Sequence, residues 1–83
     1  MSVNMKTFTL EEVAKHNTEK DCWVVVNNDV IDVTTFMNKH PGGKRVILFW
    51  AGKDASETFN KFHYMDTIIK FTPELIIGKL YIA

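Results

Sequence analysis

Two histidines are set apart by what surrounds them. His40 is followed by Pro41, Gly42 and Gly43, in a chain of 83 residues that holds only four glycines and two prolines. Pro41 pushes the residue before it into extended backbone. The two glycines permit unusual backbone angles and leave bare main chain that another group can approach closely. A histidine on such a turn offers a rigid nitrogen with room beside it for something flat. Taken alone, the stretch also reads as a tight surface turn with a bystander histidine. A second histidine, His63, lies 23 positions on. It follows a helical pattern that sets Phe59 and Phe62 on neighbouring positions of one face.

Between the histidines run KRVILFWA and DASETFNKF, two helical patterns. Packed antiparallel with their apolar faces inward, they would form a slot with an imidazole at each end of the segment. Iron porphyrin requires such a slot for its ring and an imidazole above and below the metal. The plainer reading is that Val46, Ile47, Phe59 and Phe62 fill the core. Other metal chemistries fit less well. A structural zinc site takes four ligands in close pairs, whereas His16, Cys22, His40 and His63 are scattered. Met37 shares a helix with His40 and Met65 is two residues from His63, so neither methionine is placed to bind the opposite face. Cys22 reads as a small core residue. His16 reads as a surface or structural residue at a helix end.

The elements that would position these groups follow from local signals. Thr9 and Glu12 have capping-box spacing, so TLEEVAKHN is expected to be helical. CWVVV is a strand by its β-branched and aromatic content, NND (27–29) a turn, and VIDV a second strand. Thr34 is expected to cap the helix TTFMNKH, and Gly52 to close KRVILFWA at a C-cap. Asp54 and Glu57 repeat the capping-box spacing and open the helix ASETFNKF, with His63 at or just past its end. A further helix is expected over 65–71, stopped by Pro73, and LIIGKLYI is the last strand. Short helices mixed with short strands make an α+β domain over residues 1–83.

Ten basic and ten acidic residues cancel, which argues against a nucleic-acid partner. No export signal opens the chain. The longest apolar run, VILFWA, falls far short of the roughly 20 residues of a membrane span. A single cysteine allows no internal disulfide and agrees with a reducing, cytoplasmic setting. A domain this small has a marginal core, so any staple must be a bound group.

The pieces TLEEVAKHN, KDCWVVV, VIDVTTFMNKHPGG, AGKDASETF, the histidine after that helix, and LIIGKL together resemble the cytochrome b5 haem-binding domain over nearly the whole chain. The resemblance implies a cytochrome b5-like fold, a small mixed sheet with short helices around a pocket. It implies haem b held non-covalently, with His40 and His63 as axial ligands and Phe36, Pro41, Val46, Ile47, Phe59 and Phe62 around it. No CxxCH is present for covalent attachment. Each imidazole is expected to donate its second N–H to a backbone carbonyl.

The implied activity is that of a monomeric electron carrier, not an enzyme. It would pass single electrons from a flavin-dependent reductase to an acceptor such as a desaturase or hydroxylase. The rival reading is a haem-dependent interaction or ligand-binding module without redox traffic. Three features depart from the family. Many members carry Ser-x-Asp after the second histidine, where this chain has Tyr64-Met65-Asp66, so Tyr64 is expected either to replace the serine's propionate bond with its phenol or to shield the haem edge. The interval between histidines is one residue shorter than in microsomal forms. The haem edge, commonly acidic, here carries Lys39, Lys44, Arg45, Lys53 and Lys61 near Phe49 and Trp50, with acids gathered at Glu11, Glu12, Glu19 and Asp21. These cations read either as a solvated face or, more sharply, as a neutral-to-basic docking face for a partner of acidic or apolar character.

Overall fold

The computed structural model describes residues 6–39, 44–62 and 73–81, without the side chains of Asn38, Lys39, Phe62 and Pro73. A two-residue strand, β1 (Thr7–Phe8), leads into helix α1 (Leu10–Ala14). The expected capping box is formed. The Glu12 N–H donates to the Thr9 hydroxyl at 3.1 Å, and the Thr9 N–H donates to the Glu12 carboxylate at 2.9 Å. That last bond holds the Glu12 carboxyl below its ordinary pKa. The helix is shorter than TLEEVAKHN suggests. The Lys15 and His16 N–H groups turn back to the Glu12 and Val13 carbonyls, which tightens the last turn. Asn17–Thr18 then leave the helix as strand β2 and pair with β3 (Asp21–Val26).

β3 and β4 (Asp29–Asp32) form an antiparallel hairpin. Its loop residues Asn27 and Asn28 have φ of 52° and 69°. A two-residue loop with both φ positive matches the right-handed twist of the strands, and asparagine tolerates that backbone. The last strand, β5 (Ile76–Leu80), lies antiparallel to β4 and parallel to β1. The sheet order is β1-β5-β4-β3-β2. The expected α+β class and mixed sheet are therefore present. β1 and β2 were not expected, because two residues are too few to show a strand's alternation.

Successive residues of β3 feed two cores, one on each face of the sheet. Cys22, Val24 and Val26 join Ile31, Val33, Met37, Ile47, Ala51, Ala55 and Phe59 on the helical face. Val25 joins Val13 and Val30 on the other, covered by Phe8, Trp23, Ile77 and Leu80. The remaining described helices are α2 (Thr34–Lys39), α3 (Lys44–Phe49) and α4 (Ser56–Phe62). Two caps differ from expectation. Thr34 is the first helical residue rather than the cap, and its N–H donates to the Asp32 carboxylate at 3.1 Å. Its hydroxyl instead accepts the Cys22 N–H at 2.9 Å and so ties the helix to β3. At α4 the Asp54 carboxylate accepts the Ser56 N–H at 3.0 Å and the Ser56 hydroxyl at 2.6 Å, taking Ser56 as partner in place of Glu57. Gly52 has φ of 73°, the left-handed backbone expected where a helix closes. The helix expected over 65–71 lies outside the described residues. Pro73 begins a 3₁₀ turn, Pro73–Leu75, that leads into β5. Among the described residues no helix is long and apolar enough to cross a membrane.

Two stability predictions follow from this packing. A Cβ on Gly78 would lie 2.5 Å from the Lys6 carbonyl oxygen and 2.7 Å from the Phe8 ring. Gly78→Ala should pry β1 from β5 and cost about 1–3 kcal/mol in urea unfolding. Exchange of the Lys79 and Tyr81 amides, which donate to Lys6 and Phe8, should quicken; an unchanged midpoint would refute the close approach. The fully buried Cys22 thiol is pushed up to about 11 from 9.0, first by burial and then by Asp32 and Asp21. Below the unfolded value both states hold the proton. As pH rises from 9.0 toward about 11, the unfolded chain releases it first, so this contribution to stability is lost across that window. Iodoacetamide at about pH 8 should label Cys22 only after unfolding. Rapid labelling of the folded chain would contradict the burial.

Candidate functional site

The helices of the expected site attach to one strand. On the β4 side of β3, the Val33 N–H donates to the Cys22 carbonyl at 3.0 Å, and α2 starts at the next residue. On the other side, the Gly52 N–H donates to the Trp23 carbonyl at 2.7 Å just after α3. The Val25 N–H donates to the Lys53 carbonyl at 3.0 Å, and the Ala55 N–H to the Val25 carbonyl at 2.7 Å, directly before α4. α2 and α4 thus both begin on β3. The described part of α2 runs to Lys39 and that of α4 to Phe62, and His40 and His63 come next in the sequence.

His40, Pro41, His63 and Tyr64 lie outside the described residues, as do the side chains of Phe62 and Lys39. The other expected lining residues are brought to one region. Phe36 of α2 packs half-buried on the cluster that holds Ile47 of α3 and Phe59 of α4. Ile47 and Phe59 are closed off from solvent, whereas Val46 is 45% exposed. α3 is therefore apolar on both sides, with Ile47 inward and Val46, Leu48 and Phe49 outward. Beyond Lys44 and Arg45, this helix leaves apolar surface open to solvent as well as a buried face. The set fits a flat apolar ring: Phe36 and Val46 offer open apolar surface, and Ile47 and Phe59 support it from behind.

Around this region the charges are arranged differently from the expectation that acids and bases keep apart. Lys44, at the start of α3, forms an ion pair with Glu19. Arg45 and Lys53, four residues before and after Phe49 in sequence, are exposed, and Phe49 is 68% exposed. The Lys53 ammonium lies 5.4 Å from the Phe49 ring centroid, and that ring meets Trp50 edge-on at 5.4 Å.

His16 has a structural role, as expected of it. Its ring stacks on Trp23 with centroids 3.5 Å apart and 8° between planes, and its Nδ1 lies 2.7 Å from the Asp21 carboxylate. Cys22 is a core residue. Residues missed in the sequence include Asn27, Ser56 and Asn60. The Asn27 N–H donates to the Ser56 hydroxyl at 2.7 Å, and the Asn27 and Asn60 side-chain amides bond reciprocally at 2.9 and 2.7 Å. The four-residue spacing of Ser56 and Asn60 was the available signal for a shared helix face.

Comparison with known proteins places this arrangement. A family profile described as "Cytochrome b5-like Heme/Steroid binding domain" matches residues 9–81. Cytochrome b5 of Drosophila melanogaster is 46% identical over 79 residues, 95% of this chain and 59% of that protein. The chain thus spans less than two thirds of that relative. Among solved structures, cytochrome b5 of Ostreococcus tauri virus 2 is 48% identical, with TM-score 0.77 over 87% of this chain and 81% of that one. Ectothiorhodospira vacuolata cytochrome b558, described as a prokaryotic homologue of cytochrome b5, is 30% identical with TM-score 0.79 over 93% and 100%. By sequence and by fold, the chain belongs to the cytochrome b5-like haem/steroid-binding domain family.

Proposed function

We propose that residues 1–83 form one electron-carrying domain that binds haem b non-covalently, with His40 and His63 as its two axial ligands. The observation that carries this reading is the placement of α2 and α4. Both begin on β3, both pack into one core cluster, and each leads in sequence directly toward a histidine. Phe36, Pro41, Val46, Ile47, Phe59 and Phe62 would enclose the ring, and the Tyr64 phenol would meet the propionates. Haem held between two imidazoles supplies one-electron chemistry and keeps no free coordination position for oxygen or substrate. The chain's own part is to hold two imidazoles rigidly, exclude water with apolar side chains, and leave an edge for a partner. The relatives named cytochrome b5 support a carrier role over an enzymatic one. The electron donor is a flavin-dependent reductase and the acceptor a desaturase or hydroxylase. A monomer in the cytoplasm agrees with a single cysteine, Cys22, that is buried and has no second cysteine to pair with.

The docking edge follows from α3. With Lys44 paired to Glu19, Arg45, Phe49 and Lys53 present a mildly basic, aromatic surface that suits an acidic or apolar partner face.

Reconstituted protein should give a sharp low-spin ferrous spectrum that carbon monoxide leaves unchanged. His40→Ala and His63→Ala should each abolish that spectrum and weaken haem retention. An unaltered spectrum in either variant would overturn the ligation, and sensitivity of the parent to carbon monoxide would favour an open, ligand-binding site. In a second test, reduction of the basic protein cytochrome c should be slow and respond weakly to ionic strength. Fast reduction that collapses steeply with added salt would contradict the proposed docking edge.

A further inference from the structure

α4 is held along its length by the tip of the β3–β4 hairpin. The Asn27 N–H donates to the Ser56 hydroxyl at 2.7 Å, and that hydroxyl donates on to the Asp54 carboxylate at 2.6 Å, which fixes the first turn. One turn later, the Asn60 amide donates to Asn27 Oδ1 at 2.7 Å and accepts from Asn27 Nδ2 at 2.9 Å. One asparagine side chain is thus satisfied as donor and acceptor by another that is 33 positions away in sequence. Asn27 reaches Asn60 from left-handed backbone, φ 52°, which few residue types adopt. Neither amide is needed for local structure. Glycine would make the same turn, and alanine is a better residue than asparagine inside a helix. Asn60 lies three residues before His63.

We propose that Asn27 and Asn60 are positioning residues for haem: their paired amides fix the end of α4 against the hairpin and so set how His63 is presented to the iron. The inference rests on the reading that His63 is an axial ligand. Without the pair, α4 stays packed on the hairpin strands through Phe59 but its last described turn loses this hydrogen-bonded tie to the hairpin tip. The expected consequences are faster loss of haem and a changed imidazole orientation.

Holo-protein carrying Asn27→Gly, Asn60→Ala or both is compared with the parent. Haem transfer to excess apomyoglobin gives the release rate, and the ferric low-spin EPR signal reports ligand orientation. Each single variant should release haem about three- to tenfold faster, as expected for loss of one surface hydrogen-bonded pair. Each should also shift the EPR signal, and the double variant should match the singles because both remove one interaction. Asn60→Ala should do this although it raises helix propensity, which separates positioning from mere helix stability. Release rates within about twofold of the parent, an unshifted EPR signal, or additive effects in the double variant would overturn the proposal. His63→Ala is measured alongside. If it loses the low-spin signal while the asparagine variants behave as the parent, only the asparagine proposal fails. If it retains the parent signal, the ligation reading fails and the proposal falls with it.

Discussion

The peptide groups of β3 are the constraint on which the rest of this small fold depends. Its carbonyls at Cys22, Trp23 and Val25 and its N–H at Val25 bond to the start of α2, the end of α3 and the start of α4. A strand with an open edge would recruit another chain. Here part of that edge is covered by residues 52–55, which make a parallel bridge between Val25 and Asp54. Covering the edge and positioning the helices are therefore one event. Because the contacts are backbone to backbone, they fix where α2 and α4 begin whatever side chains occupy β3, provided alternate residues remain apolar toward the helical core.

That arrangement leaves few polar groups near the helices to satisfy. Thr34 and Asp32 handle the start of α2 while also meeting the Cys22 backbone, and Asp54 handles the start of α4. Among the described residues no buried side-chain polar atom lacks a partner. The helical core is otherwise hydrocarbon with the Cys22 thiol and the Met37 thioether, as suits a site meant to exclude water. A core this small gains from a bound clamp. On the proposed ligation, joining His40 to His63 closes a loop worth roughly 3 kcal/mol of chain entropy by analogy with a disulfide.

Features set by local chemistry were legible in the sequence. The Thr9–Glu12 box, the Asn27–Asn28 turn and the left-handed Gly52 each rest on a few adjacent residues, and each is present. The order of the longer elements was legible for the same reason. What escaped reading depends on distant partners. β1 exists because β5 returns beside it across Gly78. α1 stops early where Asn17 finds Cys22 and His16 finds Trp23. Thr34 has capping chemistry but spends its hydroxyl on β3, since Asp32 is already in place to cap. For the site, the motif stretches named Phe36, Ile47 and Phe59, which do share one cluster. Spacing could not show that Val46 remains open while Ile47 is sealed, because that depends on how α3 is turned against the core.

The same limit applies to charge, and here it alters how α3 should be understood. Counting residues 44–53 gives three cations and no anion, which reads as a basic face. Glu19, brought over from the loop before β3, neutralises Lys44. Of the surviving cations, Lys53 lies over the largely exposed Phe49 ring, and Arg45 is exposed on the same helix. Two exposed charges, screened over about 8–10 Å in physiological salt, steer a partner weakly. Burying the Phe49 ring in an interface removes far more apolar surface than either cation contributes in attraction. On the proposed docking, affinity at this edge would be set by shape and apolar contact, with Arg45 and Lys53 selecting against basic partners at short range.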